Sequence, residues 1–156
     1  MAEPFSIATA SVSLGQQCAK AVISIHQFIT STKVIDHTLS GLATSIGSLS
    51  AVFQTIGETS KVAESVNPHT PTPLEKQYWQ NVLQTMGDCT RTLQQLEGIL
   101  AEVQREDGQL FRRARSQINF ELRGKGIDFC RRQINGYCQT MNLSLHLLSL
   151  YDSGRL

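Results

Sequence analysis

Four histidines and four cysteines are the side chains best suited to hold a metal or attack a substrate. His26, His37, His69 and His146 are scattered over four segments, and Cys18, Cys89, Cys130 and Cys138 include no C-x-x-C pair. Zinc sites draw ligands at short, regular spacing; neither that spacing nor an H-E-x-x-H run occurs. Cys130 and His146 stand sixteen residues apart on one predicted helix, about 24 Å at 1.5 Å per residue, too far for a thiol–imidazole pair within one chain. No G-x-S-x-G, P-loop or G-x-G-x-x-G is present, and Gly124-Lys125-Gly126 reads as a turn rather than a phosphate cradle. Cys18, Cys89 and Cys130 lie on apolar stripes and read as small core fillers. The chain therefore reads as a protein that is not an enzyme, with no catalytic residues, no metal and no cofactor.

Charge is the next resource. The chain has 156 residues, 14 Lys+Arg against 13 Asp+Glu, and a formal charge of +1. That balance argues against a nucleic-acid partner held by phosphate contacts. The charge is uneven, however. From Arg105 to Arg132 there are eight basic and four acidic residues, a local +4. Arg112, Arg113, Arg115, Arg123, Lys125, Arg131 and Arg132 are the candidates for anionic lipid headgroups, at about 1 kcal/mol per charge near a membrane surface. A solvated helix face with local ion pairs is the competing account.

The elements that position these residues are helices. Asn67-Pro68-His69-Thr70-Pro71-Thr72-Pro73 cannot continue a helix. Thr72, Pro73 and Glu75 sign the next start as a capping box with proline at the first helical position. Upstream, Ile35, Leu39, Leu42, Ile46, Leu49, Phe53 and Ile56 recur at alternating spacings of four and three. Trp79, Val82, Met86, Cys89, Leu93, Leu96, Leu100 and Val103 repeat that pattern, and Ile127, Cys130, Ile134, Tyr137, Met141, Leu145 and Leu148 form a third stripe. Such seams predict helices that hide one face against each other. Gly41, Ala43 and Gly47 lie near the second helix's seam and would allow close approach.

The first segment differs. Residues 5–31 carry Phe5, Ile7, Val12, Leu14, Val22, Ile23, Ile25, Phe28 and Ile29, with Lys20 the single charge. A helix apolar on more than one face is central in a bundle or prone to leave it for another apolar partner. Phe5, Ile7, Val12, Leu14, Val22, Ile25 and Phe28 are thus membrane-insertion candidates. Residues 37–57 are also uncharged, but their Ser, Thr and Gln content makes them a bundle helix rather than a constitutive membrane span.

The expected fold is all-α: one domain over 1–156, a four-helix bundle running up-down-up-down, with one extra short helix before the last long one. The predicted helices cover about 5–30, 35–66, 73–106, 109–121 and 126–151, with a Pro-rich linker at 67–73, a break in 31–36, a kink or break at Asp107-Gly108 and a turn at 123–126. The acidic opening Met1-Ala2-Glu3-Pro4 lacks the basic start of a secretory signal, and no lipidation motif is present. The thiols then read as reduced and the protein as cytoplasmic, peripheral at membranes when it binds them.

Three stretches carry a family resemblance: Met1-Ala2-Glu3-Pro4-Phe5-Ser6-Ile7-Ala8-Thr9-Ala10, the run from Leu39 to Phe53, and the run from Ile118 to Leu145. They resemble the fungal N-terminal domain of STAND proteins, a HeLo-like domain also described as the N-terminal domain of azaphilone pigment cluster protein L. The resemblance implies a non-enzymatic signalling bundle of a fungal immune-type receptor. It further implies self-association, a STAND receptor or other protein partner, and conditional entry of the N-terminal helix into anionic membranes, as in programmed cell death. The nucleotide-binding P-loop and ankyrin repeats of such receptors are absent from these residues. A protein–protein adaptor or homodimerisation module without membrane activity is the alternative.

Overall fold

The capping box forms as its residues specify. Glu75 N–H donates to Thr72 Oγ1 at 3.3 Å, and Thr72 N–H donates to the Glu75 carboxylate at 2.7 Å. The first helical bond, from Lys76 N–H to Thr72 O, is 3.0 Å. Two amides that no helix turn could satisfy are thereby bonded, and α3 starts at Pro73 and ends at Arg105.

The structure is a computed structural model. It describes residues 4–32, 37–66, 72–105 and 112–154, with side chains over 7–30, 37–61, 72–102 and 124–147 and at 149. The other helices are α1 (Pro4–Thr32), α2 (His37–Val66) and α4 (Arg112–Gly154). Among the described residues there is no strand. The protein is a four-helix, all-α bundle.

The three stripes and the inner face of α1 meet in one core. Ile7, Leu14, Cys18, Ala21, Ile25 and Phe28 come from α1, and Leu39, Leu42, Ile46, Leu49, Phe53 and Ile56 from α2. Trp79, Val82, Met86, Cys89, Leu93, Leu96 and Leu100 come from α3, and Ile127, Cys130, Ile134 and Met141 from α4. Tyr137 and Leu145 pack against this core half-buried. Ile35 lies outside the described residues, as do Asp107 and Gly108, most of the Pro-rich linker, and the side chains of Phe5 and Leu148. Truncating one fully buried leucine of this set costs about 2–5 kcal/mol.

The neighbour relations are unequal. α1 packs most extensively on α2, α3 packs on α4, α1 on α3 and α2 on α4. Among the described residues α2 and α3 do not touch, and α1 barely meets α4. Consecutive helices α2 and α3 therefore sit on one diagonal, and α1 and α4 on the other.

One expectation is corrected. The sequence predicts a short helix over 109–121, a turn at 123–126 and a separate last helix. The structure instead runs one helix from Arg112 to Gly154, straight through Gly124-Lys125-Gly126. An interior glycine costs only about 1 kcal/mol relative to alanine. Gly126 also has a packing reason: a Cβ there would lie 3.1 Å from Ile99 Cδ1 on α3.

Close approach between α1 and α2 is likewise made elsewhere than predicted. Gly41 and Gly47 face open space. Gly57 is the tight point, where a Cβ would come within 3.3 Å of Ser11 Cβ. Ser11 is itself buried, its hydroxyl donating to Ile7 O at 2.7 Å.

Candidate functional site

α1 carries apolar side chains in two directions. Its buried set recurs at 7, 14, 18, 21, 25 and 28, the spacing that turns one face to the bundle. Of the membrane-insertion candidates, Ile7, Leu14, Ile25 and Phe28 are buried in that face and Val22 is half-buried. Val12 points outward at 52% exposure, as does Ile23 at 55%. The described part of α1 thus combines a filled inner face with apolar points on its outer face, and Lys20 is its single ionisable acid or base apart from His26 and the Cys18 thiol.

Length and composition, however, pick out α2. His37–Lys61, 25 residues with mean hydropathy 1.2, is the one stretch among the described residues long and apolar enough to cross a membrane, with 39% of the tested window buried. Its threonines and serines bond inward along the helix: Thr44 to Ser40 O at 3.1 Å, Ser48 to Thr44 O at 3.2 Å and Thr55 to Ala51 O at 3.0 Å. These bonds lower the cost of exposing polar side chains to an apolar medium. A core helix passes the same test of length and apolarity.

Between α1 and α2 runs a shallow groove of about 340 Å³. Val12, Gly15 and Gln16 line one side, Ser50 and Gln54 the other, and Glu58 and Lys61 stand at one end. Ser50 Oγ reaches Gly15 O at 3.5 Å across it.

The basic candidates divide. Arg112, Arg113, Arg115 and Arg123 have side chains outside the described set, and Lys125 is exposed. Arg131 and Arg132 both turn back to Asp128, at 2.9 Å and 2.6 Å. Their hydrogen bonds hold the Asp128 carboxyl below the usual carboxylate range. Being exposed, the pairs add little stability. Their effect is to neutralise part of the charge that a lipid surface would see.

The polar contacts in the interior link helices. Thr92 and Tyr137 hydroxyls meet between α3 and α4, and Tyr137 donates to Gln133 Oε1 at 3.3 Å. Burial pushes the Tyr78 phenol up to about 12, against a smaller opposing bond to Ser144. Cys138 Sγ donates to Ser45 O at 3.6 Å between α4 and α2, and burial raises its thiol. Cys18 and Cys89, both buried, hydrogen-bond to each other between α1 and α3. Among the described residues no group of His, Cys, Asp and Glu is arranged to hold a metal ion.

The chain matches no family model, no curated protein and no solved structure.

A second apolar surface lies on α4, where Phe129, Leu143 and Leu147 are each more than half exposed. The sequence reading passed over them because they fall between the positions of the core stripe. Their seven- and four-residue spacing down one side of the helix was the available signal. Thr92, Ser11 and the thiol pair carried no comparable sign, since each acquires its role only when another helix arrives.

Proposed function

We propose that the chain is a non-enzymatic signalling bundle, up-down-up-down in chain direction, that associates conditionally with anionic membranes through α1. One observation carries the reading: α1 has an apolar inner face and outward Val12 and Ile23, so on leaving the bundle it offers apolar side chains all round. The short connections and the pairings of Gly15 with Ser50 and Ile99 with Gly126 support the alternating directions. The uncharged stretch at 37–57, adjacent to α1 in the bundle, supports a membrane-compatible pair of helices. The similarity of three sequence stretches to the fungal N-terminal domain of STAND proteins supports a place in an immune-type system. That similarity rests on those stretches alone.

The test is co-sedimentation of the full chain with neutral vesicles and with vesicles rich in phosphatidylserine and phosphoinositide. Val12→Glu and Ile23→Glu change exposed positions and leave the core intact, so folding is preserved. Binding to anionic vesicles that both variants weaken at least severalfold is the expected result. A folded full chain that ignores every vesicle overturns the reading.

A second reading has its own observation. Phe129, Leu143 and Leu147 give α4 an unpartnered apolar side, suited to a protein partner or to a second copy of the chain. Light scattering across a concentration series, with Leu143→Glu as the comparison, measures self-association through that side.

A further inference from the structure

We propose that Cys18 and Cys89 are an oxidisable pair, which a peroxide or a small-molecule disulfide closes into a cross-link fastening α1 to α3. The proposal holds whether or not α1 meets a membrane. Both side chains are 0% exposed, and their thiols are hydrogen-bonded to each other where α1 packs on α3. The remaining thiols are otherwise engaged. Cys138 donates to Ser45 O on α2, and Cys130 to Thr92 O on α3 at 4.0 Å. Cys138 is still near enough to be felt electrostatically by both members of the pair, which makes it the one competitor.

The chemistry balances with an external oxidant. With a glutathione-type disulfide, the Cys18 thiolate attacks one sulfur and expels a glutathione thiolate. The Cys89 thiolate then attacks Cys18 Sγ and expels the second. Two protein thiols are oxidised, one small disulfide is reduced to two thiols, and the protons of Cys18 and Cys89 pass to the leaving thiolates. With peroxide, Cys18 becomes a sulfenic acid as one water leaves, and Cys89 displaces a second water. Cys18 is the natural attacker: the Cys89 S–H donates to it and favours its thiolate, while the same contact and burial push Cys89 up.

Burial gives the pair its meaning. No oxidant reaches either sulfur while α1 is packed, so reaction waits for α1 to lift and rate follows that opening. On reclosure the disulfide forms and α1 can no longer leave. It closes a loop of about 70 residues, long enough to restrict the unfolded chain strongly.

The full chain is incubated with glutathione disulfide below its unfolding temperature, and its peptides are mapped without reduction. The expected product has lost two hydrogens, joins Cys18 to Cys89, melts several degrees higher and exchanges α1 amides at least tenfold more slowly. Cys138→Ala retains the cross-link, whereas Cys89→Ala leaves Cys18 as a mixed disulfide with glutathione. A Cys18–Cys138 bond overturns the proposal. So do mixed disulfides or free thiols alone in the unsubstituted protein, a readout that does not depend on any variant folding.

Discussion

Thr92 Oγ1 lies 3.0 Å from Tyr137 Oη, a side-chain hydrogen bond between α3 and α4 in an otherwise apolar layer. The same threonine hydroxyl approaches Asp88 O at 3.0 Å within its own helix. With its one proton given to Asp88 O, Thr92 accepts from Tyr137. The pair therefore fixes how α3 and α4 slide past one another, which apolar contacts leave loosely specified. Tyr137→Phe removes the donor but leaves the Thr92 hydroxyl bonded to Asp88. A loss of about 0.5–1.5 kcal/mol is expected, read as a fall in Tm of about 2–4 °C. No change in Tm shows that the bond does not hold the interface.

The glycines separate into two kinds, and substitution tells them apart. Gly136 is exposed with nothing near a Cβ. Gly136→Ala is expected to stabilise the chain by up to about 1 kcal/mol through helix propensity. Gly57→Ala places its methyl against Ser11 Cβ, which sits next to backbone and has little room to move. A net loss of about 1–3 kcal/mol is expected there. Denaturant midpoints for the two variants should move in opposite directions.

Asp128 offers a charge test of the lipid surface. Its carboxyl is held low by Arg131 and Arg132, so it stays ionised in the folded state to lower pH than in the unfolded chain. The associated stability is present above the ordinary carboxylate range and is lost as pH falls through the folded value. Because the group is fully exposed, this effect on Tm is small. Vesicle binding responds more: Asp128→Asn removes one negative charge and releases two arginines. At about 1 kcal/mol per basic residue near an anionic surface, binding should tighten about tenfold. Unaltered binding removes Arg131 and Arg132 from the lipid-facing set.

Tyr78 sets an alkaline limit. Its phenol rises from 10.0 to about 12 in the folded protein. The folded state holds the proton more tightly, so the contribution is full below pH 10 and is lost as pH rises toward 12. A pH titration of tyrosinate absorbance should show one of the three tyrosines lagging the others. Tyr78→Phe removes the lagging step. A titration in which all three ionise together contradicts the burial of Tyr78.

Much of this architecture was legible because helices bury stripes. Leu39, Leu42, Ile46, Leu49 and Phe53 are buried at the spacing that identifies them in the sequence, as are Leu93, Leu96 and Leu100. Thr72 and Glu75 form their box because every group it needs lies within four residues. Gly126 misled for a physical reason: glycine can end a helix or admit a neighbour, and only the arrival of Ile99 decides which. The same holds for the candidate site. Periodicity places Ile25 and Phe28 on a face, but not which helix covers it. It places Arg131 and Arg132 on α4 without showing that both turn to Asp128.

The diagonal placement of α2 and α3 has a consequence for how the chain assembles. Each of the pairs α1–α2 and α3–α4 is built from consecutive segments and can zip up locally, with little loop entropy to overcome. Joining the two halves is the non-local step, and it is made by α1 on α3 and α2 on α4. Cys18 with Cys89, and Cys138 with Ser45, lie on that seam, whereas Cys130 lies inside one half. Protection of Cys18 and Cys89 from a thiol reagent during refolding therefore times the union of the halves, and Cys130 keeps time for α3–α4 alone.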